Sequence, residues 1–501
     1  MSGPATRLIE GGTRRTAFRH ELDAAAWGAL PEALRREPEL EFLALWGEEG
    51  AVHAAFRRAG RGAPLLASLA TPERRYPALS PACPAAAWFE RAAADLWGLR
   101  AEGGTDQRPW LDHGRWGVAA PLSANPLAAP GEPPQPVFLP AEGEGVHQIP
   151  VGPIHAGVIE AGHFRFHVQG ETVLRLEARL GYKHKGIQGL VRGRAPRAAA
   201  RVVARLSGDS TVAHAWAFAA AAEAALGVAV PPRAVLLRAL MLEMERVANH
   251  LNDVGFLCND AAFPWPHARL GALREVVLRA NDAAFGHRLL MDRIVPGGIS
   301  IDIAPSGPEA VREALALVAA ELPAVRHVIE EHASLADRLV GTGVLDPALA
   351  ARFAAGGYVG RASGRDFDAR RDLPFAPYDS LEFKVPLLRE GDVGARLNLR
   401  LAEVEESLLL CATLLDRLRP GETLVPLPAR GGEGLAIVEG FRGEVLCWMA
   451  LEEDGLIRAS FPRDPSWLHW PLLEAVAVGN IVADFPLINK SFNGSYSGVD
   501  L

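Results

Sequence analysis

A proline-rich segment in the first third of the chain sets the strongest limit on how the chain can fold. Seven prolines fall within twenty positions: Pro121, Pro126, Pro130, Pro133, Pro134, Pro136 and Pro140. Because proline fixes φ and lacks a backbone N–H donor, this segment favours an extended, semi-rigid linker. The 501 residues are therefore predicted to form a small unit (1–118), a linker (119–147) and a larger unit (148–501).

The small unit has the pattern of an α/β domain. Two apolar segments, 40–46 and 51–56, flank the sequence Gly-Glu-Glu-Gly, which is typical of a hairpin turn. The residues of 85–97 favour a helix after that hairpin. We found no internal repeats.

The large unit begins with a second predicted hairpin and then becomes mainly helical. Apolar and charged residues alternate over 164–168 and again over 174–180, with Gly170 at the turn. From about 196 to 418 the apolar spacing is helical. Short strands are predicted after Pro420, followed by a final helix. The expected fold class is α+β.

One predicted helix carries an unusual set of polar residues. Apolar residues recur at helical spacing between 236 and 251, which predicts a continuous helix. A neighbouring stripe of the same helix contains Glu243, Arg246, His250 and Asp253. Two interpretations remain open: a helix face satisfied by its own ion pairs, or a functional or inter-subunit surface.

Composition excludes several classes of protein. The net charge is −8, so the chain is a poor general binder of nucleic acid or of anionic membrane. Its four cysteines are far apart, which argues against a CxxC metal pair and a disulfide framework. The most apolar stretch, 215–230, contains Glu223 and favours a buried helix over a membrane span. No secretory signal, dinucleotide-binding motif, P-loop, zinc helix or nucleophile elbow is recognisable.

Longer motifs in the large unit indicate more. In chain order they are GPIH (152–155), GHFR (162–165), GYKHKG (181–186), EMERVANHL (243–251), GRASG (360–364), PARGGE (428–433) and ADFPLI (483–488). Together they resemble the superfamily of the nickel–iron hydrogenase large subunit and the quinone-site subunit of respiratory complex I. The resemblance implies a mainly helical domain with a hairpin at its start.

The small unit resembles a second subunit of the same machines. YPAL (76–79), WFER (88–91) and DLWG (95–98) are similar to motifs of the small complex I subunit. A fusion of the two subunits is characteristic of the membrane-bound, energy-converting branch, as in the formate hydrogenlyase large subunit.

The chain departs from active members of this superfamily where they bind nickel and iron. Those members use two cysteine pairs, and the matching positions here are Ser207, Ser210, Ser495 and Gly498. Thiolates are soft, charged ligands, whereas a hydroxyl is a hard, weak ligand and glycine offers none. The resemblance therefore implies no metal and no cofactor held by this chain, apart from quinone as a candidate ligand. The serine segment also suits a helix N-cap.

A second departure concerns proton transfer. The glutamate that relays protons from the active centre of relatives is replaced by Gln188, and an amide cannot relay protons at neutral pH. The chain also stops at Leu501 without the histidine-bearing tail of many active members.

Complex I relatives without these cysteines bind a quinone head group in the vacated cavity, using a hairpin histidine and a tyrosine. His155 matches the histidine, as a ligand-binding residue or as a hydrogen-bonded loop residue. The tyrosine has no match, but Tyr496 and Trp216 are candidates for the cavity wall, together with Asp209 and His214.

Four further residues complete the candidate set. Arg430 matches the arginine that lies over the iron's diatomic ligands in active relatives, and two roles are open for it here: it orients a polar group, or it only pairs with Asp484 or Glu433. A hard-metal site formed by Asp209, His214 and Asp500 is the least favoured alternative.

The function implied by the resemblance is that of a metal-free subunit of a membrane-bound, ion-translocating oxidoreductase related to NADH:quinone oxidoreductase. It would take part in electron transfer to a bound acceptor such as quinone. The implied partners are an iron–sulfur subunit, which holds the cluster, and antiporter-like integral membrane subunits, at the cytoplasmic face of the inner membrane. The alternative is a non-catalytic scaffold with a vestigial site.

Overall fold

The computed structural model describes residues 3–58, 62–128, 136–155 and 159–501. It has the predicted α+β class, with helices and several small sheets. Three linker prolines, Pro130, Pro133 and Pro134, lie outside the described residues.

The small unit is a five-stranded sheet with helices packed against it. Its helices are α1 (Pro4–Glu10), α2 (Ala24–Arg35) and α3 (Ala87–Trp97), with a 3₁₀ turn at Pro84–Ala86. Its strands are β1 (Thr13–Arg14), β2 (Arg19–Leu22), β3 (Leu40–Glu48), β4 (Ala51–Arg58), β5 (Leu65–Ala70), β6 (Arg75–Pro77), β7 (Arg100–Glu102), β8 (Val118–Ala119) and β9 (Leu127–Ala128). The main sheet has the order β1-β2-β5-β4-β3.

The predicted β3–β4 hairpin and the helix that follows it are confirmed. Strands β3 and β4 pair antiparallel, and α3 packs on β3. The first residues of the predicted linker differ from the expectation, because β8 and β9 form a short antiparallel pair there. Leu122 N donates to Leu96 O at 3.0 Å, so this part of the linker packs on the small unit instead of extending away from it.

The large unit opens with the sheet β10 (Val146–Val151), β11 (His163–Gln169) and β12 (Thr172–Arg179). The predicted hairpin corresponds to β11 and β12; β10 adds a strand that the sequence patterns did not predict. Pro150 interrupts the alternation of β10, and its missing N–H is tolerated because β10 is an edge strand.

The helical part follows. Its helices are α4 (Ile187–Val191), α5 (Pro196–Val203), α6 (Thr211–Leu226), α7 (Pro232–Asp260), α8 (Pro264–Phe285), α9 (Gly307–Glu330), α10 (Ala333–Leu339), α11 (Pro347–Arg352), α12 (Gly357–Ala362), α13 (Ala369–Asp372) and α14 (Val393–Arg417). A short pair, β13 (Ile294–Val295) and β14 (Gly298–Ile299), and a 3₁₀ turn at Tyr378–Ser380 interrupt them. Helix α7 packs against both α8 and α14 and forms the centre of the unit.

The predicted late strands form a three-stranded sheet. They are β15 (Gly432–Gly440), β16 (Gly443–Leu451) and β17 (Ile457–Arg463), and α15 (Ser466–Ala477), a 3₁₀ turn at Val482–Asp484, α16 (Phe485–Phe492) and α17 (Tyr496–Asp500) follow them. Helix α6 lies on β15 and β16. The sheet therefore fixes α6, whose first residues follow the vacated ligand positions.

Aromatic packing and buried ion pairs join the two units. The rings of Trp46 in β3 and Phe461 in β17 stack at 5.0 Å. Arg57 in β4 is fully buried and pairs with Glu41 at 2.8 Å and with Glu444 in β16 at 2.9 Å. Because an unpaired buried charge is costly, these contacts hold the two units in one arrangement.

Candidate functional site

The vacated ligand positions come together in the fold. Ser207 lies between α5 and α6, Ser495 precedes α17, and their Oγ atoms are 2.9 Å apart. The two serines are 288 residues apart in sequence and are 1% and 6% exposed. The structure thus brings one position of each lost cysteine pair into direct contact.

Hydrogen bonds leave neither of these hydroxyls free. Ser207 Oγ donates to Asp209 Oδ1 at 3.0 Å, so its single proton is already used. Ser495 Oγ must therefore donate to Ser207 Oγ, and it accepts the amide of Gly498 at 3.0 Å. The result is one directed chain of hydrogen bonds that begins at Gly498 and ends at Asp209.

Packing closes the fourth position. A Cβ on Gly498 would lie 2.7 Å from Asp464 Cγ and 2.9 Å from Ser495 Cβ. Contacts this short are not seen between real side chains without movement of a neighbour. The residues at these positions therefore do not fit a nickel–iron centre: their donors are hard hydroxyls, and one position lacks room for any side chain.

Ser210 occupies the N-cap position of α6 but does not act as its cap. The Ser210 side chain makes no capping hydrogen bond. Instead the Glu245 carboxyl of α7 accepts from Val212 N at 2.7 Å and from Ala213 N at 3.2 Å. The expectation that this serine segment caps the helix is corrected, because a buried acid on the adjacent helix occupies the amides.

A buried acid–base pair, His214 and Asp464, lies close to the matching ligand positions. His214 Nε2 and Asp464 Oδ2 are 2.9 Å apart, and both side chains are 0% exposed. Burial alone would raise the pKa of Asp464, but the hydrogen bond from His214 and the charge of Arg442 hold it below its ordinary value. Arg442 also binds Asp209 with two nitrogens, at 2.7 and 2.5 Å.

The three residues of the hard-metal alternative bind separate partners in the fold. His214 faces Asp464 and Asp209 faces Arg442, whereas Asp500 accepts the amides of Gly181 and Lys183 at 2.7 Å each. Within the described ranges, no three His, Cys, Asp or Glu side chains are grouped so that they could hold a metal ion. Each candidate ligand already has another partner.

The hairpin histidine and the late tyrosine lie around one aromatic ring. The ring of Phe164 in β11 is 5.7 Å from the ring of His155 and 6.4 Å from the ring of Tyr496. His155 Nε2 is 2.7 Å from Gly162 O, so the histidine is also a hydrogen-bonded loop residue. Tyr496 packs on Trp470 at 4.8 Å, and burial raises the pKa of its hydroxyl to about 12.

Arg430 and Asp484 lie elsewhere. Arg430 is exposed and lies beside Gly227, at the end of α6 opposite to Ser210. A helix of 16 residues is about 24 Å long, so Arg430 does not face the vacated positions. Asp484 pairs with Arg338 at 3.2 Å, which corrects the expected pairing with Arg430.

Glu433, the other expected partner of Arg430, is bound elsewhere too. It pairs with Arg19 of the small unit at 2.8 Å and accepts from Trp448 Nε1 at 2.8 Å. Trp216, an expected cavity residue, packs edge-on against Phe375 at 5.4 Å instead.

The polar stripe of α7 is internal. Its four residues are at most 2% exposed, which excludes an inter-subunit surface. Arg246 and Glu243 pair within the helix at 3.2 Å, but the other partners lie on other elements: His250 with Glu403 at 2.8 Å and Asp253 with Arg400 at 3.3 Å. The stripe therefore joins α7 to α14.

Three residues of the site were missed from the sequence: Glu245, Arg442 and Asp464. Each is a buried charge whose partner is distant in sequence. Arg442 and Asp464 lie outside the quoted motifs, whereas Glu245 lies in EMERVANHL (243–251) but was given no role there. Gln188, the lost proton relay, is 7% exposed in α4.

None of the helices within the described ranges is long and apolar enough to cross a membrane.

Different parts of the chain match different known protein families. Residues 51–128 match the family described as the respiratory-chain NADH dehydrogenase 30 Kd subunit. Residues 185–255 match nickel-dependent hydrogenase, and residues 267–431 match the respiratory-chain NADH dehydrogenase 49 Kd subunit.

Individual relatives agree. Formate hydrogenlyase subunit 5 of Escherichia coli is 30% identical over 442 residues, covering 85% of this chain and 77% of the relative. The C/D subunit of NADH-quinone oxidoreductase from Phocaeicola vulgatus is 30% identical, covering 82% and 86%. A chain of the membrane-bound sulfane sulfur reductase, an archaeal respiratory membrane complex, superposes with a TM-score of 0.67 at 26% identity, covering 71% of this chain and 99% of that one.

Proposed function

This chain belongs to the family that includes formate hydrogenlyase subunit 5 and the fused C/D subunit of NADH-quinone oxidoreductase, and we propose that it is a metal-free subunit of a membrane-bound, ion-translocating oxidoreductase complex. The similarity to a chain of a respiratory membrane complex supports a place in such an assembly. The proposed partners are an iron–sulfur subunit and antiporter-like integral membrane subunits, at the cytoplasmic face of the inner membrane.

We propose no nickel–iron centre because of the packing at the four matching ligand positions. Ser207 Oγ and Ser495 Oγ bind each other, and Gly498 has no room for a ligand side chain. Soft thiolates would be required to hold the two metals, and the hydroxyls are hard, neutral donors. Metal analysis of the complex purified from membranes tests this directly: we expect no nickel, and one nickel per chain would overturn the proposal.

The proposed part in electron transfer is the reduction of a bound acceptor, with quinone as the candidate. Its support is the cluster of His155, Phe164 and Tyr496, which joins the hairpin to the vacated position. Ile154 and Ile159 on the same hairpin loop are 78% and 45% exposed and offer an apolar surface to a prenylated ring. We do not propose that this chain itself binds a permanent cofactor.

Quinone reduction by the purified complex tests this part. We expect His155→Ala to lower the rate with a short-chain quinone by about tenfold, the loss of one hydrogen bond to the head group. The control is His147→Ala, an exposed histidine of β10. Equal rates for the two variants would remove quinone from the proposal.

The second candidate is a non-catalytic coupling role. It is favoured by the fact that His155, Ser207 and Ser495 all have hydrogen-bond partners within the chain. In that case His155→Ala and Tyr496→Phe leave the activity of the complex unchanged, while removal of the whole chain abolishes it. Both candidate functions predict a complex without nickel, so the metal analysis does not separate them. The quinone assay decides between them.

A further inference from the structure

A pocket with a few polar groups in its walls lies beside the segment that contains Ser207 and Ser210. It has a volume of about 300 Å³ and is enclosed by Asp209 and Thr211, by α7, by α8 and by the residues that follow α8. His155 and Tyr496 are not among its walls, so it is separate from the proposed quinone site.

Three polar atoms of its walls have no hydrogen-bond partner. They are Thr211 Oγ1, Asn281 Oδ1 and Arg274 Nε. Thr211 and Asn281 are 2% and 1% exposed, so bulk water does not satisfy them. A buried donor or acceptor without a partner costs about 1–3 kcal/mol, and such atoms in a native fold need an explanation.

The charged donor of the pocket is Arg274. Asp209 is neutralised by the two bonds from Arg442. Burial raises the pKa of Glu245 to about 8, so this acid is mostly neutral at pH 7. Arg274 makes no ion pair or hydrogen bond with any residue in the described ranges, and its neighbour Arg288 pairs with Glu275 instead. The carboxylates of Asp209, Asp253 and Glu275 attract this guanidinium only at longer range, so its Nε remains free to bind an acceptor.

The unpartnered atoms define the ligand. Arg274 can only donate, which requires an acceptor and favours an anion. Asn281 Oδ1 can only accept, because its amide nitrogen already donates to Arg288 O at 3.0 Å, so the ligand must also bring a donor. Thr211 can serve either role. We propose that this pocket binds a small oxyanion that carries a hydroxyl group, such as hydrogenphosphate or a hydroxycarboxylate.

Two pairs of probes test the proposal by titration calorimetry on the full chain at pH 7. Phosphate is compared with sulfate, which has the same shape but no proton to donate, and glycolate is compared with acetate. We expect phosphate or glycolate to bind at least about tenfold more tightly than its partner without the hydroxyl, the effect of one charged-group hydrogen bond. Whichever binds identifies the source of the oxyanion. Absence of binding by both, or equal binding within each pair, would overturn the proposal.

Substitutions of pocket residues test whether the oxyanion binds in this pocket. Arg274→Gln should weaken binding at least about tenfold, whereas Arg279→Gln, on the exposed face of the same helix and 79% exposed, should not. Thr211→Val removes an unsatisfied hydroxyl at constant size, so it should keep or raise the melting temperature of the free chain while it reduces the stabilisation by the ligand. Unchanged binding by both Arg274→Gln and Thr211→Val would place the oxyanion elsewhere and refute the assignment.

Discussion

Substitution of Gly498 by alanine is the most direct test of the closed ligand position. The added Cβ would lie 2.7 Å from Asp464 Cγ and 2.9 Å from Ser495 Cβ. Asp464 cannot move cheaply, because it is fully buried and holds His214 Nε2 at 2.9 Å and Ser466 N at 2.8 Å. The clash must therefore displace a charged, hydrogen-bonded side chain or the start of α17.

The magnitude follows from two opposing effects. Gly498 lies within α17, where alanine would otherwise stabilise by about 0.5–1 kcal/mol. Overpacking a close-packed interior costs about 1–3 kcal/mol, and a weakened hydrogen bond to Asp464 adds about 1.5–3 kcal/mol. We expect a net loss of about 1.5–5.5 kcal/mol in the free energy of unfolding.

Urea denaturation followed by tryptophan fluorescence measures this loss. Trp467, whose Nε1 donates to Gly498 O at 3.2 Å, is one of the eleven tryptophans that contribute to the signal. The matched control is Gly271→Ala in α8, where nothing lies within 4 Å of the new Cβ. That variant should gain about 0.5–1 kcal/mol. If Gly498→Ala proves as stable as the control, the position is open and the packing argument against a metal ligand fails.

Three further predictions test the surroundings of the site. Because burial raises the pKa of Glu245 to about 8, the folded state binds its proton more tightly than the unfolded state, so stability relative to Glu245→Gln should fall as pH rises from 5 to 8 in urea titrations. Arg57→Met leaves Glu444 buried without its closest partner and should cost about 3–5 kcal/mol by the same measurement. Tyr496→Phe loses only a long bond from Asn489 at 3.4 Å and should cost less than about 1 kcal/mol.

Each has a contradicting outcome. A pH-independent difference for Glu245→Gln would mean that the acid is ionised and charge-paired at neutral pH. A loss no larger than that of the exposed variant Arg279→Met would mean that the interface around Arg57 is hydrated. A large loss for Tyr496→Phe would assign the hydroxyl a structural role that the 3.4 Å contact does not indicate.

Local sequence patterns predicted many of the helices and strands. The hairpin of 40–56 followed from two apolar segments around a glycine-containing turn, and the helix around 236–251 followed from helical spacing; both signals depend only on neighbours in sequence. Strand β10 was missed because Pro150 interrupts its alternation, and an edge position that tolerates proline is a tertiary fact.

The sequence motifs predicted those residues of the candidate site that stand at a recognisable motif position. The resemblance identified Ser207 and Ser495, and the fold brings them together. It included Glu245 in a motif without giving it a role and did not mark Asp464, because the role of a buried acid depends on its partners and these come from distant elements. Arg430 was misassigned for the same reason: the loop motif is recognisable, but its distance from the site depends on the length of α6.

The proposed absence of metal chemistry involves more than the four ligand positions. Asp464 and Asp209 are bound here by His214 and Arg442, so both carboxylates already have partners within the chain. Four restored thiolates would add negative charge to this region, and burial beside carboxylates raises the pKa of a thiol. The restored cysteines would then remain protonated and bind metal weakly. Recovery of a nickel–iron centre therefore requires changes in the acids and bases around the site as well as the return of the four cysteines.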